Sequence, residues 1–158
     1  ADADVRVMSS NILFDKDTKK AVCVIDLDTV MPGSMLYDFG DAIRFAANFV
    51  EEDCRDLDQV GVNLEVFRAF AEGFLSQTAR TLTETEVDTL ALSCFVLTAE
   101  LATRFLADYL DGDLYFKTAY PEHNLVRARA QMKLAADMQA KMDDMNRIVA
   151  SVVAQVRK

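Results

Sequence analysis

The spacing of apolar positions changes along this chain, and each change marks an element. Two short apolar runs, centred on Ile12-Leu13-Phe14 and Ala21-Val22-Cys23-Val24-Ile25, flank the charged turn Lys16-Asp17-Thr18-Lys19-Lys20 and predict a β-hairpin. A Pro32-Gly33 loop follows, and Tyr37 to Asn48 reads as a short helix with acidic residues at its favourable N-terminal end. Glu51-Glu52-Asp53 and the charges to Asp58 read as a solvated connection. Val62, Val66, Phe67, Phe70, Phe74 and Leu75 recur at helical spacing and predict an amphipathic helix of about four turns. Thr83 and Glu86 form a capping box that opens a long apolar helix to about Leu110, and Asp111-Gly112-Asp113 ends it. One last helix is expected from near Pro121 to about Val156. The pattern as a whole is mainly α (α+β): a small N-terminal hairpin and four or five helices.

Composition narrows the functional classes. A chain of 158 residues with 51% apolar content can bury a sizeable core. With 17 basic and 26 acidic residues its net charge is −9, which disfavours unaided binding to nucleic acid or an anionic membrane. Cys23, Cys54 and Cys94 are odd in number and widely spaced, a usage that suits buried thiols in a reducing compartment. No charged-then-apolar leader and no apolar run of roughly 18 to 20 residues is read in the sequence, so the cytoplasm is the expected location.

Candidate chemistry sits at the hairpin. Asn11 and Asp26 fall at neighbouring strand ends, and an amide oxygen beside a carboxylate suits Mg²⁺, a hard ion that completes its shell with water and nucleotide phosphates. Kinase-like phosphotransferases place such an Asn at the end of a His-x-Asp-x-x-x-x-Asn loop, whose Asp accepts the acceptor hydroxyl's proton. Here the Asp position holds Arg6 and the His position Asp4. A guanidinium stays protonated and cannot act as that base, and loss of a general base costs about 10²- to 10⁴-fold in rate.

Five strings in order carry a family resemblance: Asn11 to Asp15, Val22 to Gly33, Asp38 to Arg44, Arg104 to Asp113, and Tyr120 to Gln131. Over residues 11 to about 142 the chain resembles the C-terminal lobe of the aminoglycoside phosphotransferase and choline kinase-like superfamily, and is most similar to its N-acetylhexosamine 1-kinase branch. The resemblance implies a protein-kinase-like C-terminal lobe over residues 11–158, with residues 1–10 a residual leader and the nucleotide-binding N-terminal lobe absent. It implies ATP as cosubstrate and transfer of its γ-phosphoryl group to the anomeric hydroxyl of an N-acetylated amino sugar. Asn11 and Asp26, with Asp28 nearby, would hold Mg²⁺; Phe45, Arg104 and Tyr115 would shape the sugar pocket; Asp38, Asp41 and Arg44 would stiffen the site from behind. The pattern departs at Arg6 and at Met8, where a basic residue is usual.

Two classes of function follow from these residues. One is the metal- and sugar-binding lobe of a sugar 1-kinase, inactive alone. The other is a degenerate, non-catalytic helical module that binds a partner or itself. Either would leave an apolar face where the N-terminal lobe belongs, and association through that face as a homodimer or higher oligomer is expected. Arg104 could instead pair with Glu100 or Asp108 four residues away, and His123 reads as structural.

Overall fold

Asp15 organises the turn between two antiparallel strands, β1 (Ile12–Phe14) and β2 (Ala21–Val24). Its Oδ1 accepts from the backbone N–H groups of Asp17 (3.1 Å) and Thr18 (2.7 Å) and from the Thr18 hydroxyl (2.8 Å), while its own N–H donates to Lys20 O at 2.9 Å. This is the local side-chain turn that Asp favours, with Lys19 in the left-handed region at φ 57°. Those donors hold the Asp15 carboxyl below its ordinary pKa, the backbone bond from Thr18 contributing most. The strands pair Ile12 with Val24, Leu13 with Cys23 and Phe14 with Ala21, with an irregularity between Leu13 and Phe14.

The structure is a computed structural model that describes residues 12–15, 17–25 and 32–157. The chain divides into two compact units, Ala1–Ser34 and Met35–Lys158. Five α-helices are found among the described residues of the second: α1 (Met35–Ala46), α2 (Leu64–Thr78), α3 (Glu84–Leu110), α4 (His123–Ala140) and α5 (Met142–Val156). A 3₁₀ turn spans Leu57–Gln59. The mainly α reading holds.

The helices form where the sequence signals them. Asn63 caps α2 by accepting from Glu65 N and Val66 N, and at α3 the Thr83–Glu86 capping box is complete. The Thr83 donors also keep the Glu86 carboxyl below its ordinary pKa, the backbone N–H first. Helix α3 packs along α4 and α1 and also meets α5, while α2 lies against α5. The core between α1, α2 and α3 is aromatic: Phe39, fully buried, meets Phe67, Phe70 and Phe74 at centroid distances of 5.9, 5.7 and 5.1 Å. Next to it Gly40 faces the α3 backbone so closely that a Cβ would lie 2.7 Å from Ser93 O.

Four expectations need correction. The last helix is two, because the chain leaves helical geometry at Lys141 (φ −101°, ψ 10°) without glycine or proline. The cause is tertiary: Asp137 Oδ2 accepts from Val62 N at 2.7 Å, and Lys141 Nζ donates to Val62 O at 3.1 Å and Asp137 Oδ2 at 2.8 Å. The connection from Glu51 to Asp58 is more than solvated, since Glu52 forms ion pairs with Arg44 of α1 and Arg127 of α4, and Asp53 lies against His123 of α4. Of the three thiols, only Cys94 is buried; Cys54 is half-buried and Cys23 exposed. Desolvation pushes the Cys94 thiol up to about 12, which makes it inert. Lastly, α3 is long and apolar enough by length and composition to cross a membrane; its packing against α1, α4 and α5 accounts for its buried face.

Candidate functional site

The C-terminal end of α3 is shaped by one carboxylate. After Leu110 the chain reverses through Gly112 (φ 95°) and Asp113 (φ 59°), and Asp113 N donates to Asp108 O at 2.8 Å. Glycine meets the first positive φ at no steric cost, and aspartate tolerates the second. The returning segment then passes over the Asp108 side chain. Asp108 Oδ1 accepts from Leu114 N (3.0 Å) and Tyr115 N (2.8 Å), and Oδ2 from Phe116 N (3.0 Å) and Asn124 Nδ2 (2.8 Å). Burial pushes this carboxyl upward, but the N–H groups of Phe116, Tyr115 and Leu114 outweigh it and hold the pKa below the ordinary aspartate value.

That reversal lays two aromatic rings back along α3. Phe116 packs on Phe105 with centroids 4.7 Å apart, and Tyr115 stands edge-on to Phe116 at 4.9 Å. The Arg104 guanidinium lies over both, 5.6 Å from the Tyr115 ring and 5.4 Å from that of Phe116, within cation–π range. On the other side Arg127 covers Phe105 at 5.3 Å. The result is a wall in which the Tyr115 side chain and half of Arg104 stay open to solvent.

Behind the wall a polar chain runs from α4 to α1. Asn124 Nδ2 also donates to Asp113 Oδ1 at 2.8 Å, and Arg127 Nη1 donates to Asn124 Oδ1 (3.3 Å) and Lys117 O (3.2 Å). Arg127 Nε lies 3.7 Å from Glu52 Oε2, whose other oxygen accepts from Arg44 Nη1 at 2.6 Å. Arg44 is buried and also donates to Asp41 Oδ1 (2.9 Å) and Gln131 Oε1 (3.4 Å). The N-terminus of α4 has its own cluster. His123 Nδ1 accepts from Ala119 N at 3.1 Å, so the ring proton sits on Nε2. That atom is 3.2 Å from Asp53 Oδ2 but misaligned, and is the one buried side-chain polar atom without a hydrogen bond among the described residues. Tyr120 donates to the same oxygen at 3.1 Å; burial first, then Asp53, raises its phenol's pKa.

The structure brings together Arg104 and Tyr115, two of the three residues expected at a sugar pocket. The third, Phe45, lies on the exposed side of α1 at 43% exposure and shares no ring contact with either among the described residues. Arg104 pairs with Glu100 at 3.6 Å and not with Asp108, whose oxygens are taken by the loop. Asp38 lies in the first turn of α1, and Asp41 and Arg44 pair with each other. Arg6, Asn11, Asp26 and Asp28 lie outside the described residues. Among the described residues no three His, Cys, Asp or Glu side chains gather as a metal site. An open groove of about 520 Å³ between α2 and α5, lined by Arg68, Glu72 and Arg147 among others, contains none of the expected site residues.

A family model described as "Phosphotransferase enzyme family" matches residues 7–126, which include the hairpin, α1 to α3 and the Asp108 loop. This chain belongs to the phosphotransferase enzyme family. Its place within the aminoglycoside phosphotransferase and choline kinase-like superfamily follows from the same match. In this phosphotransferase chain, Asp108, Asn124, Arg127 and Glu52 are the residues that sequence reasoning missed as parts of the site. The available signal was an aspartate on an apolar helix three residues before the Asp111-Gly112 stop, weighed only as a partner for Arg104.

Proposed function

We propose that this chain is the metal- and sugar-binding C-terminal lobe of an ATP-dependent N-acetylhexosamine 1-kinase, and that it does not turn over by itself. The observation that carries the reading is the open wall of Arg104 and Tyr115, set 5.6 Å apart at the end of α3 within the family match. Both are hydrogen-bond donors suited to hydroxyl and acetamido oxygens, and the face of an aromatic ring suits the apolar face of a sugar ring. The Glu100 partner at 3.6 Å is a solvent-exposed ion pair, weak enough to leave the guanidinium available to a ligand.

Asn11, Asp26 and Asp28 supply an amide and two carboxylates, a hard oxygen set that fits Mg²⁺. When bound, Mg²⁺ neutralises charge on the phosphates, which a chain of net charge −9 cannot do unaided. Arg6 accounts for the missing turnover, because its side chain cannot accept the proton of the anomeric hydroxyl.

Saturation-transfer NMR of N-acetylglucosamine and N-acetylgalactosamine with the 158-residue chain tests the reading. Transfer to the acetamido methyl of at least one sugar is expected, and Arg104→Ala or Tyr115→Ala should weaken its Kd about tenfold, as for loss of a hydrogen bond. Failure of both sugars to bind overturns the sugar assignment. With Mg²⁺ and ATP added, ³¹P NMR should show no sugar 1-phosphate; its formation, with contaminating kinases excluded, overturns the inactivity.

A further inference from the structure

We propose that Asp108 is the positioning residue of this wall: by gathering the backbone N–H groups of Leu114, Tyr115 and Phe116, it fixes where Tyr115 stands against Arg104. Its consequence for sugar affinity rests on the reading above; the placement of the loop does not.

Apart from the packing of Phe116 on Phe105, the side chains of the loop do not explain its conformation. Leu114 is 82% exposed and Tyr115 74% exposed, so burial contributes little to holding either. An exposed segment stays in one conformation only if something offsets the entropy of ordering it. Here the offset is directional: four donors converge on two oxygens of a single buried carboxylate. Bonds to a charged acceptor are stronger than bonds between neutral groups, and these fix consecutive peptide planes. Consecutive planes set the direction of the Cα–Cβ bonds, and so the side on which the Tyr115 ring emerges.

Asn124 makes the arrangement specific to a carboxylate. Its Oδ1 is occupied by Arg127, so its Nδ2 faces Asp108 and Asp113 together. An Asn at position 108 would offer one acceptor oxygen to four donors, and its own N–H groups would confront Phe116 N, Asn124 Nδ2 or the remaining loop amides. The isosteric change Asp108→Asn therefore keeps the volume and removes the function.

The test compares wild type, Asp108→Asn, Tyr115→Ala and the double variant. In Asp108→Asn, amide exchange protection should fall at Leu114, Tyr115 and Phe116 and persist along α3. The Tyr115 and Phe116 ring protons should move towards unstructured shifts while those of Phe39 and Phe67 stay. Sugar affinity should weaken about tenfold, and the double variant should bind no more weakly than Tyr115→Ala, since Asp108 acts through that ring. Unchanged ring shifts, or additive losses of affinity, overturn the inference. Should wild type bind neither sugar, the sugar reading fails, and exchange and ring shifts alone decide the role of Asp108. Should Asp108→Asn not fold, acid titration of the wild type decides it. Tyr115 and Phe116 ring signals should then move below the ordinary carboxylate range and before global unfolding; signals that hold until the whole chain unfolds overturn it.

Discussion

The middle of α3 and its C-terminal end are held by different physics. Around Ser93 and Cys94 the helix is fixed by non-directional burial, with Phe39, Phe67 and Leu90 fully enclosed and Gly40 against its backbone. At Asp108 it ends in an exposed loop fixed by oriented hydrogen bonds to one carboxylate. Burial tolerates substitution by shape and volume, whereas the carboxylate tolerates no change of acceptor count. Stability therefore concentrates in the middle of the helix and the geometry of the candidate site at its C-terminal end, and substitutions in the two regions should separate the two properties.

The largest expected effect is at the aromatic core beside the middle of the helix. Phe39→Ala should cost about 3–5 kcal/mol of folding stability by urea denaturation, as a large-to-small change at a closed site. A loss below about 1 kcal/mol would mean that Phe70 and Phe74 collapse into the space. Gly40→Ala comes next, at about 1–3 kcal/mol, because the new methyl meets Ser93 backbone and not a flexible side chain. Neither change should alter the ring signals of Tyr115 in the fraction that remains folded.

At the polar end the expected effect is a pH dependence. The folded Asp108 carboxyl titrates below its unfolded value of about 3.9, so its contribution is fully present above that value and is lost as pH falls through the folded pKa. The difference in stability between wild type and Asp108→Asn should be flat from neutrality to about pH 5 and shrink below about pH 4. A difference that grows on acidification would contradict the assignment. The smallest effect belongs to Glu100→Gln, which should change thermal stability by less than about 0.5 kcal/mol, since its pair with Arg104 is exposed on both sides.

The same contrast decides what was legible in the sequence. Elements fixed by local signals were: the hairpin turn, the Thr83–Glu86 box and the Asp111-Gly112-Asp113 stop each depend on neighbours within a few residues. The core face of α2 followed from the spacing of Phe67 and Leu75. Arg104 and Tyr115 were named through resemblance, and their meeting is a property of the loop between them. What the pattern could not supply were partners distant in the chain. Asp108 meets Asn124 across 16 residues, Arg44 meets Gln131 across 87, and Val62 meets Asp137 across 75. The last of these splits the final helix at Lys141, a residue with no breaker signal of its own. The Mg²⁺ ligands expected from their chemistry, Asn11, Asp26 and Asp28, lie outside the described residues.

The contact of Gly40 with Ser93 has a consequence for motion. Helices that rearrange within a domain commonly slide past each other by small steps along their packed ridges. Between α1 and α3 such a step would carry a residue of the same helix face three or four positions away, such as Leu36 or Ile43, to the place where Gly40 presents no side chain, within reach of the Ser93 carbonyl. The pair thus has a single permitted register. Any opening or closing stroke that this phosphotransferase chain undergoes must carry α1 and α3 together as one piece.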